Sequence, residues 1–317
     1  MNKFIEKQID SFNGKKYSIT NDLQPLINNP LYLYIKIIDN KVIANNPDNQ
    51  FYNRSGFIDR KNRIIKMITN SIKLIKIKNT EFLIHIFDSY HWTHDIPFFN
   101  FNLPINIKGL IIPHFDFIKF NTDFNKIKKI IYNFNPKIIN NNIYYNGMNK
   151  TDKISNIRFL LSKLKKPFNI ILSKKNVPVY TFKNHKYLLD LPGTKPWTEI
   201  FKYMCLCERV IIKISFYNSK FNEKDYWQEF SDIYFRENID YVHLKYDIDY
   251  ENPISKIRLN QIIKDIENVY FKFEKNPVLY KKMVTNLKNS SDKLSLNKVY
   301  EYISKSINSY TKNLLIK

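Results

Sequence analysis

"HKYLLDLPGTKPWTEIFKYMCLCERVIIKI", His185 to Ile214, decides the fold. "HKYLLDLPG" is an apolar run closed by Pro192-Gly193, which predicts a strand and its stop. "WTEIFKYMCLCE" has apolar residues at helical spacing, and "RVIIKIS" is a short β-branched run of the kind buried in a sheet. Strand, glycine-containing loop, helix, strand is the unit that joins two parallel neighbours.

The same alternation extends on both sides. Upstream come a helix in "DFNKIKKIIYNF", a strand in "NNIYYNGMN", a helix in "ISNIRFLLSKLKK" and a strand in "FNIILSK". Downstream, "DYWQEFSDIYF" reads as a helix or irregular helical segment, "DYVHLKYD" as a strand and "PISKIRLNQIIKDIENV" as a helix, and two more helical stretches close the chain. The first third differs. Residues 3–13 and 19–27 read as short helical pieces. "LYLYIKIIDNKVIANN" reads as a hairpin turning at Asp39-Asn40, and "RKNRIIKMITNSIKLI" as an amphipathic helix. "EFLIHIFD", "IPFFNFN" and "GLIIPHF" read as short strands. Two α/β lobes in succession imply a cleft between them.

Ligands of open α/β sheets sit beyond the carboxyl ends of the strands. The loop at Gly193 leads into a helix whose free N–H groups suit a phosphate. Thr194, Lys195, Thr198 and Lys202 add donors and charge there, and Trp197 can stack on a base or sugar face. The stretch is neither GxGxxG nor a Walker loop. In "IYYNGMNKTDKISNIRFLL" a strand ends at Gly147 and Arg158 opens the next helix, where its fork can hold a phosphate.

"TEFLIHIFDSYHWTHDIPFF", Thr80 to Phe99, ends an apolar strand at Asp88. An acid at a strand end can accept a proton in the crevice, and it can equally cap a turn. Three of the six histidines, His85, His91 and His94, lie here. Zinc needs three or four converging ligands. His85 sits in the apolar run as a core residue would, so no metal is expected. Asp247-Ile248-Asp249 is read as a chance Asp-x-Asp match.

At 317 residues, with 44% hydrophobic and 15% aromatic residues, the chain can build two cores. The excess of Asn, Ile, Lys, Tyr and Phe is that of an AT-rich genome, viral or protist. The lysines behind the net charge of +22 are scattered. Nucleic acid is therefore not expected as a partner, whereas a basic cleft for a phosphorylated ligand fits. Cys205 and Cys207, the only cysteines, read as core thiols in a reducing compartment. With no apolar signal core and no run of 18 apolar residues, a cytoplasmic location without a membrane span is expected.

The order of these segments resembles the CAP10-type glycosyltransferases, glycosyltransferase family 90, which include the protein O-glucosyltransferases. "KYLLDLPGTKPWTEIFKYMCLCERVIIKI" is similar to the family's strand, Gly loop, helix and strand block. "ENIDYVHLKYDID" resembles its "hYvPv" block, "IYYNGMNKTDKISNIRFLL" its strand and arginine-helix segment, and "EFLIHIFDSY" the strand that ends in its catalytic aspartate. The resemblance spans about residues 30 to 310. It departs at Phe87, Asn146 and Ile200, where family members often carry arginine.

What the resemblance implies is a GT-B-like enzyme of two Rossmann-like lobes facing an interdomain cleft. Residues 1–118 would form an acceptor and catalytic-base lobe, with a C-terminal helix, 293–317, packing back on it. Residues 119–292 would bind the nucleotide sugar. The enzyme would move glucose or a xylose-like sugar from a UDP-sugar to a hydroxyl of a glycan or protein, with inversion and without metal or cofactor. Asp88 would be the base. Gly147, Arg158, Gly193, Thr194, Lys195, Trp197, Thr198 and Lys202 would surround the donor. Tyr90, His91, Trp92 and His94 would wall the acceptor side. The missing arginines favour a second expectation, a catalytically inactive relative that binds glycan or nucleic acid.

Overall fold

The computed structural model describes residues 1–18, 21–22, 24–27, 29, 31–45, 55–86, 96–105, 108–119, 122–147, 156–173, 177–192, 200–221, 223–249 and 252–316. Two helices, α1 (Asn2–Asp10) and α2 (Gln24–Ile27), precede the hairpin β1 (Tyr32–Ile38) and β2 (Lys41–Asn45). Asp39 and Asn40 both have positive φ, 48° and 61°. That is the backbone of a tight two-residue hairpin turn, which Asp and Asn tolerate. Next come α3 (Ser55–Leu74), β3 (Thr80–His85), β4 (Phe99–Asn100), β5 (Asn102–Pro104) and β6 (Leu110–Ile111).

The first sheet has the order β2-β1-β3-β4-β6. The hairpin lies antiparallel on β3, while β3, β4 and β6 run parallel. Strand alternation divides its faces. Leu33, Ile35, Phe82 and Ile84 pack under α1 and α3, and Tyr32, Tyr34 and Leu83 form a smaller cluster with Leu26 and Phe98.

The rest of the chain runs α4 (Phe124–Asn133), β7 (Asn140–Gly147), α5 (Asn156–Ser162), β8 (Phe168–Leu172), β9 (His185–Asp190), α6 (Phe201–Met204), β10 (Val210–Tyr217), β11 (Trp227–Glu229), β12 (Val242–Asp247), α7 (Lys256–Glu274), α8 (Pro277–Lys293) and α9 (Leu296–Asn313). β12-β10-β9-β7-β8 form a second sheet, and every pairing in it is parallel. Asp123, Ser255, Asn276 and Ser295 cap α4, α7, α8 and α9 with side-chain oxygens on the first-turn N–H groups.

One face of this sheet packs on Ile157 and Leu161 of α5, Ile262 and Ile266 of α7, and Met283 of α8. Its other face, with Tyr144, Leu188 and Ile211, belongs to the same core as the first sheet. Helix α9 returns to the first sheet: Tyr302 donates to the Ile111 carbonyl at 2.9 Å and Ser304 to the Ser71 carbonyl at 2.8 Å.

Two segments differ from their sequence reading. "DYWQEFSDIYF" contains a strand, β11, followed by a 3-10 turn at Phe230–Ile233. β11 pairs antiparallel with β5, Glu229 opposite Asn102, and this long-range ladder overrides local helical spacing. In "WTEIFKYMCLCE" the described helix is one turn, Phe201–Met204, passing into a 3-10 turn at Cys205–Cys207. Glu208 ends it in the left-handed region at φ 55°. Every residue from Phe201 to Cys207 is buried, so packing on both sides fixes this connection rather than an amphipathic face.

Candidate functional site

The carboxyl edge of the second sheet brings together residues far apart in sequence. β7 ends at Gly147 and β9 at Asp190. Arg158, in the first turn of α5 and only 7% exposed, donates to the Leu191 carbonyl at 3.3 Å. Its guanidinium carbon lies 5.3 Å from the centre of the Tyr145 ring, a cation–π contact. Burial raises the Tyr145 pKa, Arg158 pulls it down and Asp190 pushes it up, so the three groups feel one another. A methyl group at Gly147 would strike the Tyr145 hydroxyl, so glycine is the residue that lets β7 end against that ring.

A row of titratable side chains crosses the same sheet. Asp190, Lys213 and His243 stand opposite one another on β9, β10 and β12. Lys213 Nζ is 3.4 Å from Glu229 on β11. Burial tends to lower the Lys213 pKa, but Glu229, Asp232 and Asp190 outweigh it and hold the group charged. Burial lifts Asp232 to about 7, with Lys213 opposing and Glu229 reinforcing the shift. Asp232 also accepts from the Glu229 N–H at 2.9 Å, closing a capping box on the 3-10 turn.

Beside this row, Ser215 Oγ is 2.8 Å from His243 Nε2, and His243 Nδ1 is 2.9 Å from Glu237. Serine, histidine and carboxylate in that order are the arrangement of a hydrolytic triad. Two facts deny it that role. Ser215 is 2% exposed, on the interior of a strand. Burial, helped by Lys213 and Lys245, lowers the His243 pKa to about 2, too weak a base to take a serine proton near neutrality. The group is a satisfied polar network inside the fold. Its signal in the sequence was the alternate polar positions 213 and 215 in "RVIIKIS" and 243 and 245 in "DYVHLKYD".

The chain beyond β9 meets the chain beyond β6. Tyr203 of α6 donates to the Asp116 carbonyl at 2.7 Å, and Lys202 Nζ lies 5.3 Å from the Phe117 ring and 5.0 Å from that of Tyr203. Lys202 therefore faces the 3-10 turn Phe115–Phe117, and Arg158 faces Leu191. Arg60 of α3 donates to the carbonyl of Ile86, just past the end of β3, while Arg63 bridges Asp59 and Asp116. A cleft of about 640 Å³ opens here between α3 and Ile118-Lys119.

Of the donor and catalytic residues expected from sequence, Gly147, Arg158 and Lys202 are described: Gly147 lies against Tyr145, Arg158 against Tyr145 and Leu191, and Lys202 against Phe117. Asp88, Tyr90, His91, Trp92, His94, Gly193, Thr194, Lys195, Trp197 and Thr198, together with Phe87, lie outside the described residues. His85 is a core residue, 5% exposed and edge-on to Tyr32 at 5.3 Å. Cys205 and Cys207 are both buried and free. Among the described residues no group of three or more His, Cys, Asp or Glu could hold a metal ion, and no helix is long and apolar enough to cross a membrane.

No protein-family model matches the chain, and no curated protein matches it. Among solved structures it is similar to the crystal structure of Anabaena HepE in complex with UDP and glucose. The TM-score is 0.37 at 9% identity, over 64% of this chain and 57% of that one. A second HepE crystal structure, in complex with UDP, gives a TM-score of 0.36 at 9% identity, over 64% of this chain and 58% of that one. The chain thus spans under two thirds of the length of either structure.

Proposed function

We propose that the protein is a UDP-sugar-dependent glycosyltransferase, inverting and metal-independent, that moves a glucose- or xylose-like sugar to a hydroxyl of a glycan or protein. In this reading residues 1–118 carry the acceptor and residues 119–292 the donor. Asp88 takes the proton of the acceptor hydroxyl. The oxygen attacks the anomeric carbon, the carbon–oxygen bond to the diphosphate breaks, and UDP leaves with its electron pair. Arg158 and the N–H groups at the Gly193 loop stabilise the departing charge.

One contact carries the reading. Arg158 donates to Leu191, joining at one sheet edge the two segments, Gly147 to Arg158 and Leu191 to Lys202, whose order in the sequence resembles the family's donor site. A thermal-shift screen of nucleotides and nucleotide sugars tests it. UDP and one UDP-sugar are expected to raise the melting temperature by mass action. A screen in which no uridine ligand does so sinks the proposal.

Asn146, standing where the family carries arginine, supports a second reading: an inactive relative that binds glycan or nucleic acid. Sugar transfer to any acceptor excludes it.

A further inference from the structure

The cleft between α3 and residues 118–119 carries an unbalanced charge. Asp59, Arg63 and Lys66 lie on one side of α3 at helical spacing, with Lys119 across from them. Arg63 is already matched by Asp59 and Asp116. Lys66 is exposed, and among the described residues neither it nor Lys119 has a carboxylate partner; the Lys119 ammonium lies 5.2 Å from the Tyr203 ring. Two cations are therefore left over at the mouth of a cleft of about 640 Å³, a volume within the usual range for small-ligand sites. Ile58, 46% exposed, supplies an apolar wall that suits the C–H face of a sugar ring. The cleft also adjoins the carboxyl end of β3: Arg60, one turn before Arg63, holds the Ile86 carbonyl and lies 4.9 Å from the Phe115 ring, which Arg63 also faces at 5.8 Å.

We propose that this cleft binds an anionic oxygen group of an acidic glycan, a carboxylate, sulfate or phosphate, through Lys66 and Lys119. Assigning that glycan to the acceptor rests on the transferase reading above. Five of the seven residues that line the cleft belong to α3, and Gly147, Arg158 and Leu191 are not among them; Lys119 also lies against Tyr203, next to Lys202. We assign the anion to the acceptor on the α3 lining, and competition with UDP decides that assignment.

The test is binding of a fluorescein-labelled oligogalacturonate to the full chain by fluorescence anisotropy, beside a neutral oligosaccharide of equal length. Because the whole chain is strongly basic, the variant Lys66→Gln/Lys119→Gln is compared with Lys281→Gln/Lys282→Gln, which removes the same charge from exposed positions of α8. The first pair is expected to weaken acidic-probe binding about tenfold relative to the second. Equal losses in the two variants, or equal binding of acidic and neutral probes, overturn the cleft. Displacement of the probe by UDP overturns its assignment to the acceptor. Binding that depends on Lys66 and Lys119 in a protein with no UDP affinity supports the cleft and removes the transferase reading, so the two proposals fail separately. The carboxylated probe is then exchanged for sulfated and phosphorylated oligosaccharides, and the tightest binder identifies the anion.

Discussion

Arg158 reaches from the first turn of α5 to the Leu191 carbonyl, 33 positions away, at 3.3 Å. The contact ties the strand that ends at Gly147 to the strand that ends at Asp190, with the Tyr145 ring beneath the guanidinium. Removing it should act on stability and on donor affinity together. Arg158→Ala is expected to weaken UDP binding by about tenfold to a hundredfold and to lower the melting temperature. Arg158→Lys keeps the charge but loses the planar fork, and should recover stability better than affinity. Titration calorimetry with UDP and thermal denaturation measure the two effects.

In the proposed transferase mechanism Asp88 takes the acceptor's proton. Asp88→Asn keeps size and polarity but removes the base, so turnover should fall by about 10²–10⁴ while UDP affinity stays at the wild-type value. UDP release in the presence of acceptor and UDP calorimetry give the two numbers. A variant that retains turnover removes Asp88 from the mechanism.

Lys213 is the cation of a buried group that holds Asp190, Glu229 and Asp232. Lys213→Met leaves those carboxylates without it and should cost about 3–5 kcal/mol of stability. Lys213→Met/Glu229→Gln removes one of the stranded charges and should cost less than the single change. Urea denaturation midpoints at constant slope report the difference.

Burial lowers the pKa of His185 to about 4 and, with Lys213 and Lys245 assisting, that of His243 to about 2. The folded state therefore favours the neutral rings. Their contribution is fully present above the ordinary histidine value of 6.5 and is lost as pH falls below it toward those lowered values. Urea midpoints should fall between about pH 7 and about pH 5, and His185→Gln should flatten that limb. His185 is the cleaner test, since its ring lies parallel to the Tyr144 ring at 3.6 Å, its Nδ1 is 2.9 Å from Asn142, and burial alone lowers its pKa.

Asp232 acts in the opposite sense. Its pKa is raised from 3.8 to about 7, so its contribution is present below the lower value and is lost as pH rises through the upper one. Asp232→Asn cannot ionise and keeps an oxygen for the Glu229 N–H. It should therefore gain stability relative to wild type as pH rises from about 5 to about 8, read as the difference in urea midpoint.

Much of the fold could be read from residue spacing. The hairpin turn at Asp39-Asn40, helix α3 and the alternation from β7 to β10 are local, because backbone preference and side-chain periodicity act over a few residues. Gly147 and Arg158 were picked out by the same means, as a strand stop and a helix start. Lys213, Ser215 and His243 were hidden as polar letters in runs that read as buried strands.

Residue spacing alone determined most of the strands and helices, though not β11 or the short turn at Phe201–Cys207, and that an arginine and a glycine stand at the two ends of one strand-to-helix connection. The tertiary structure decided that β11 is a strand, that Asp190, Lys213 and His243 share one row, and that Arg158 meets Leu191 while Lys202 meets Phe117. The reason is range. Strand register and the meeting of separate chain segments are set by burying whole faces together, and no window of a few residues contains that information.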